Sequence, residues 1–269
     1  DGGFEVTGVF TQPDRPKGRG GKVTMPPVKE LAKSHSIPVV QPRRIRSEGL
    51  EALKAFQPDI CVTAAFGQIL SEEILGVPPL GTVNVHASLL PKYRGSSPVN
   101  WAIIQGERCT GVTTMLTEKG IDTGDILLQR DTPIGPEETA GELTARLADM
   151  GADLLIETLR LISQGNCPRR KQVEQEMSYY PMLKHDTGAI DWDLPAKQIA
   201  DLARGLNPWP GAYAQSPWGT IKILKATEES MSVPAVPGAV LQAGSREGLL
   251  IKAGENALRI GLLQIPGGK

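Results

Sequence analysis

The sequence predicts an α/β protein: a doubly wound parallel sheet followed by a small C-terminal β-domain. Three observations carry that reading. Strand-like apolar runs alternate with helical patterns from residue 4 to about residue 165, as βαβ units require. One run, DICVTAAF at 59–66, is apolar almost throughout, as expected of a strand covered on both faces. Beyond 165 the alternation stops, and short strands separated by turns follow at the spacing of a small barrel or sandwich.

Taken in order, FEVTGVF (4–10) reads as a buried strand. The stretch 11–27 reads as irregular, because Pro13, Pro16, Gly18, Gly20 and Gly21 punctuate it. A helix is expected near 27–35 and a short strand at IPVVQ (37–41). In 47–56, Ser47 stands as an N-cap and Leu50, Leu53 and Phe56 recur at helical spacing. TVNVHAS (82–88) is a strand, 99–106 a short helix ending at Gly106, and 111–118 and 125–134 two strands. Residues 138–165 form a long amphipathic helix that Gly165 ends. The domain division is 1–167, a linker at 168–184, and 185–269 with one helix (195–205) and strands at 211–216, 219–226, 237–243, 248–253 and 257–264.

Composition excludes several classes of function. The chain is 40% hydrophobic and 22% charged, with no apolar run of the roughly 18 residues a membrane span needs. A formal net charge of −1 means that any nucleic-acid contact must use a local patch. Cys61, Cys109 and Cys167 are scattered and show no metal-ligand spacing, which points to a reduced, cytoplasmic setting and to no metal.

NVHASLLPKYRG (84–95) concentrates polar chemistry at a strand end. His86 falls near the carboxyl end of a strand, the edge where open α/β sheets bind ligands. Asn84, two residues earlier, leaves the same face. EKGIDTGDIL (118–127) supplies Asp122 on a glycine-flanked loop between two strands. A carboxylate there would orient an imidazole, and an asparagine amide would donate to a developing oxyanion. Each has a plainer reading, His86 as a hydrogen-bonded structural residue and Asp122 as a turn residue. No GxSxG elbow is present, so the nucleophile belongs to a substrate.

Together, NVHASLLPKYRGSSPVNWAI and the GIDTGDI loop resemble the 10-formyltetrahydrofolate-dependent formyltransferases, and the resemblance runs through essentially the whole chain. It implies a Rossmann-like formyltransferase domain and an OB-like C-terminal barrel. It also implies transfer of a formyl group from the co-substrate 10-formyltetrahydrofolate to an amine. Asn84 would polarise the formyl oxygen, His86 would stabilise the tetrahedral oxyanion, and Asp122 would hold His86 and help accept the amine proton. Phe66, Gly67 and Ile69, in AAFGQIL (64–70), would line the pterin pocket, and the backbone of Gly120, Ile121, Asp122 and Thr123 would read its polar edge. Ser88, Leu89, Leu90 and Pro91 would form a wall near the reacting centre; core packing stands beside that reading for Leu89 and Leu90.

Within the family, FTQPDRPKGRGGK (10–22), NPWPGAY (207–213) and the C-terminal β-domain resemble the branch whose acceptor is the α-amino group of methionyl-initiator tRNA. The loop 15–22 carries Arg15, Lys17, Arg19 and Lys22 among three glycines and would engage the tRNA acceptor stem, with a solvated loop as the plainer reading. Arg43, Arg44 and Arg46, and Arg169, Arg170 and Lys171, would extend a phosphate track. Residues 185–269 hold eight Lys/Arg and eight Asp/Glu, so tRNA contact there would use one face; Trp192, Trp209 and Trp218 are expected inside the barrel. A monomer in the cytoplasm, or in an organellar matrix or stroma, is expected. The rivals are a formyltransferase acting on a sugar nucleotide or glycinamide ribonucleotide, an inactive tRNA-binding module, and a 10-formyltetrahydrofolate hydrolase. Asp1 opens the chain almost directly on a strand, so the family's first strand is expected to precede this sequence.

Overall fold

The computed structural model describes residues 2–17 and 21–266. These divide into two compact units: Asp1–His86, Thr113–Gln129 and Gly151–Gln175 in the first, and Ala87–Val112, Arg130–Met150 and Glu176–Lys269 in the second.

The chain begins with β1 (Val9–Phe10), β2 (Arg15–Lys17), β3 (Lys22–Thr24), α1 (Pro27–Ser34) and β4 (Val39–Val40). β1 and β4 form a parallel two-stranded ladder, Val9 opposite Val39 and Phe10 opposite Val40. The buried strand expected over 4–10 is therefore only two residues long. Phe4 and Val6 are exposed, because no ladder reaches them among the described residues. The irregular stretch expected at 11–27 instead holds the β2–β3 hairpin, with Arg15 opposite Thr24, Pro16 opposite Val23 and Lys17 opposite Lys22. Pro16 is tolerated because a two-stranded ribbon has outward positions that need no N–H donor.

The helical pattern at 47–56 divides at Gly49 into α2 (Ile45–Glu48) and α3 (Leu50–Ala55). Ile45 and Leu53 from these helices join Ile74 in an apolar cluster that Phe10, Leu50, Cys61 and Phe66 cover. β5 (Cys61–Ala64), α4 (Glu72–Leu75), β6 (Thr82–His86), α5 (Pro98–Ile104), β7 (Cys109–Leu116) and β8 (Ile126–Pro133) follow. The sheet order is β5-β6-β7-β8. It is mixed rather than parallel: β6 pairs parallel with β5 and antiparallel with β7. β7 enters beside the end of β6, His86 opposite Thr113, whereas a parallel pair needs a crossover back to the strand's start. β5 is also less covered than its apolar sequence suggests, with Val62 exposed.

α6 (Ala140–Ser163) starts at a capping box. Thr139 Oγ1 accepts from Glu142 N at 3.3 Å, and Glu142 Oε2 accepts from Thr139 N at 2.9 Å. α7 (Ala196–Gly205) then precedes β9 (Ala212–Ser216), β10 (Gly219–Glu229), β11 (Val240–Gly244), β12 (Gly248–Lys252) and β13 (Ala257–Gln264). The last five strands form one antiparallel sheet in the order β11-β12-β13-β10-β9. Ala196, Ile199, Ala200 and Ala203 line one face of α7 and pack on Ala212, Ile223, Leu258 and Ile260 of that sheet. Trp192 is half-buried there, but Trp209 and Trp218 are exposed, contrary to expectation. Trp218 sits in the tight turn between β9 and β10, beyond the strand pairs that build the core.

Candidate active site

β6 organises the site. Its parallel register sets Asn84 opposite Thr63 of β5, and Thr63 Oγ1 donates to Asn84 Oδ1 at 2.8 Å. With Oδ1 engaged, Nδ2 is the donor the carboxamide presents. Asn84 and His86 share a strand face. Burial pushes up the thiol of Cys61, on the same strand as Thr63, which favours its protonated form.

The Asp122 loop is closed at both ends. Leu116 N donates to Asp125 O at 2.9 Å and Thr117 N to Thr82 O at 2.8 Å. A Cβ at Gly124 would lie 1.8 Å from Leu116 O, so this closure requires glycine. Asp122 adopts a φ of +53°. That left-handed backbone costs most residues about 1–2 kcal/mol and asparagine or aspartate least. The turn brings Asp122 Oδ1 to 3.7 Å from His86 Nδ1, with the two side chains 17% and 7% exposed. The separation exceeds a direct hydrogen bond and suits an ion pair or a bridging water. Partial burial limits screening between them. The arrangement sets one amide donor and one imidazole beside a carboxylate.

The remaining expected residues divide by place. Ala65 and Gly67 both have positive φ, 46° and 71°, which turns the chain sharply after β5. The side chain of Phe66 packs on the Ile45, Leu53 and Ile74 cluster, Gly67 is exposed, and Ile69 is 71% exposed. Gly120 and Ile121 are exposed and Thr123 half-buried. In the second unit, Ser88 and Leu90 are buried and Leu89 and Pro91 half-buried. Ser88 Oγ donates to Lys92 O at 2.7 Å, so this hydroxyl shapes its own turn.

The cationic hairpin has a built root. Lys29 Nζ donates to both Asp14 oxygens, at 2.9 and 2.7 Å, and to Gln41 Oε1 at 2.6 Å. Gln41 Nε2 donates to Gln12 O at 2.8 Å and Asp14 Oδ1 at 2.7 Å. The hydrogen bond from Lys29, then that from Gln41, holds the Asp14 carboxyl below its usual range. Gln12 Nε2 also donates to Phe66 O at 2.9 Å, tying this root to the turn after β5. Arg15, Arg43, Arg44 and Arg46 are exposed, as are Arg169, Arg170 and Lys171. Lys17 and Lys22 are placed by their backbone in the ladder, and Arg19 lies outside the described residues. Arg170 is partly committed, its guanidinium donating to Gln129 Oε1.

Residues 1–159 match the family model described as formyl transferase, and residues 182–269 match that described as formyl transferase, C-terminal domain. The chain belongs to the formyl transferase family. Among curated formyl transferases it is 47% identical over 269 residues to the methionyl-tRNA formyltransferase of Caldanaerobacter subterraneus subsp. tengcongensis, covering 99% of this chain and 86% of the relative. It is 45% identical over 268 residues to that of Geobacter sulfurreducens, covering 99% and 84%. Among solved structures it resembles an N-formyltransferase from Helicobacter canadensis in complex with folinic acid and dTDP-3-aminofucose, with a TM-score of 0.69, 21% identity, and coverage of 93% of this chain and 87% of that one. HypX from Aquifex aeolicus in complex with tetrahydrofolic acid gives a TM-score of 0.65 at 19% identity, over 87% of this chain and 40% of that one. At these identities the structural likeness is one of fold.

Two further residues of this formyl transferase, neither marked by a motif, bear on the site. Thr63 orients Asn84; a hydroxyl inside the otherwise apolar CVTAAF is its available signal. Gln172 donates to the backbone of the Asp122 loop, and nothing local marks it in a polar linker.

Proposed function

We infer that this formyl transferase moves the formyl group of 10-formyltetrahydrofolate onto the α-amino group of methionyl-initiator tRNA, the reaction that prepares the tRNA for translation initiation. The observation that carries the chemistry is the approach of Asp122 to His86, with Asn84 on the same strand face. Attack of the amine on the formyl carbon moves charge onto one oxygen and a proton off the amine nitrogen; collapse then breaks the carbon–N10 bond, and N10 takes up a proton as tetrahydrofolate leaves. Asn84 Nδ2 and His86 donate to that oxygen, and Asp122 holds His86 and receives the amine proton through water. The chain contributes proximity and fixed charge. The co-substrate fits the residues present: Ile69 and Ile121, exposed on two loops of the first unit, offer apolar surface for a pterin ring, and the backbone at Gly120, Ile121 and Thr123 offers polar groups to its edge. Phe66 and Gly67 shape the turn, and Ser88, Leu89, Leu90 and Pro91 shape the stretch after His86.

The tRNA reading rests on relatives 45–49% identical that are named methionyl-tRNA formyltransferase, and on the cationic hairpin. Arg15, Lys17, Arg19 and Lys22 meet the acceptor stem, with Arg43, Arg44, Arg169, Arg170 and Lys171 along the phosphate path. We divide the work as 1–167 for catalysis, 168–184 as linker, and 185–269 as an OB-like barrel on the tRNA, with exposed Trp209 and Trp218 as stacking surfaces. The protein acts as a monomer in the cytoplasm, or in an organellar matrix or stroma. The deciding assay offers 10-formyltetrahydrofolate with methionyl-initiator tRNA, an amino-sugar nucleotide or glycinamide ribonucleotide as acceptor. Turnover of the tRNA alone is expected. Turnover of one of the small amines without the tRNA would overturn the reading.

A further inference from the structure

We propose that Gln172 is a positioning residue for Asp122, acting through the backbone of the loop that carries it; the inference deepens the formyl-transfer reading and rests on it for the role of Asp122. Gln172 Nε2 donates to Asp122 O at 2.7 Å and to Gly124 O at 2.8 Å. Both partners are carbonyl oxygens, so only the amide nitrogen can face them, one hydrogen to each. The two bonds bracket the turn. One ends on the residue whose φ is +53°, the other on the glycine that lies against Leu116 O. An aspartate in the left-handed region has a right-handed alternative close in energy, and that alternative swings its carboxylate elsewhere. A bidentate donor on the two carbonyls selects the conformation that points Asp122 at His86.

The segment carrying Gln172 is itself anchored. Arg170 N donates to Ile126 O at 2.9 Å, and Ile126 N to Arg170 O at 2.8 Å. The Arg170 guanidinium donates to Gln129 Oε1, and Gln129 Nε2 donates to Thr113 Oγ1 at 2.9 Å. Thr113 stands opposite His86 across the β6–β7 ladder. Gln172 thus holds the Asp122 loop, while Arg170 is linked through Gln129 to Thr113, the strand neighbour of His86.

The test uses the full chain, 10-formyltetrahydrofolate and methionyl-initiator tRNA. Gln172→Leu removes the donors, and Gln172→Glu keeps the size but turns an acceptor toward two carbonyls. Each should lower kcat by about 10²-fold with both KM values within about twofold, the signature of a misplaced group rather than a missing binding surface. In an Asp122→Asn background, Gln172→Leu should cost less than about threefold, because the two changes remove the same function. Crystal structures of the variants should place Asp122 beyond about 5 Å from His86 Nδ1, outside close ion-pair reach. Three results overturn the proposal: single variants within threefold of wild-type kcat, an undiminished loss in the Asp122→Asn background, or a retained 3.7 Å approach. Failure of both variants to fold overturns it too, by making Gln172 a residue of the fold. If wild-type protein leaves methionyl-tRNA unformylated, the functional reading fails, while the crystallographic comparison still decides the role of Gln172.

Discussion

The end of β6 and the hairpin at β2 and β3 are held in opposite ways. Asn84 is fixed by a 2.8 Å bond from Thr63, and His86 and Asp122 are mostly buried in a loop and strand tied at both ends. The hairpin is a three-pair ladder whose Arg15 stands in solvent, and its order comes from the Asp14, Lys29 and Gln41 cluster at the root. The difference fits the roles proposed for the two regions. Charge developing on one oxygen has to meet its donors within a few tenths of an ångström, and a misplacement of about 1 Å can cost 10²-fold. Phosphates are recognised by charge over several ångströms, and exposed cations tolerate movement while they do it.

The comparison is broken most severely at His86. His86→Ala should lower turnover by at least about 10²-fold, the usual scale for general acid–base groups, while tRNA affinity stays unchanged. Steady-state kinetics and a filter-binding assay with methionyl-initiator tRNA separate the two quantities. Near-normal turnover would remove His86 from the chemistry and with it the distinction between the two regions.

The reverse experiment belongs to the hairpin. Replacing Arg15, Lys17, Arg19 and Lys22 with glutamine should raise KM for the tRNA by roughly tenfold and leave folate affinity unchanged, since exposed charges contribute through phosphate neutralisation. The slope of log affinity against log salt should fall by about one for each phosphate that is no longer neutralised. Equal weakening of folate and tRNA binding, or weakening of neither, contradicts the assignment.

How far each region is legible in the sequence follows the same divide. The polar residues of the β6 end sit two apart on a strand, so period-2 geometry alone puts Asn84 and His86 on one face. Asp122 is a turn residue by local pattern, and only a family resemblance joins it to His86. Its approach depends on a positive φ and on Gly124 lying against Leu116 O, and neither is written in the spacing of residues. Gln172 is invisible, because its partners are carbonyls some 50 positions earlier in the chain. The hairpin reads as irregular because prolines and glycines punctuate its sequence, yet a two-stranded ladder accommodates Pro16. The direction of β7 escapes for a related reason: alternation predicts strands, not the end from which each enters the sheet. The exposure of Trp209 and Trp218 likewise depends on what covers them, which hydrophobicity does not state.

The smallest expected effect lies where the hairpin does have a defined geometry, at Asp14. Its carboxylate accepts two bonds from Lys29 and one from Gln41, and Lys29 holds its pKa below the ordinary aspartate value. A carboxyl whose folded pKa is depressed stabilises the folded state above its unfolded pKa, and that contribution is lost as pH falls through the folded pKa. The ordinary value is near 3.9, so the contribution is complete at neutral pH and declines only in acid below about pH 4. Asp14→Asn removes the charge but keeps the shape. It should leave kcat unchanged and raise KM for the tRNA by at most about fivefold, the range of a solvent-accessible ion pair. The wild type should melt above the variant at pH 6, and the gap should close as pH is lowered through the acid range. A gap that stays constant to pH 3 would mean that Asp14 acts by packing rather than by charge. A loss of kcat equal to the change in KM would mean that the hairpin root, through the bond from Gln12 to Phe66 O, constrains the chemistry as tightly as β6 does.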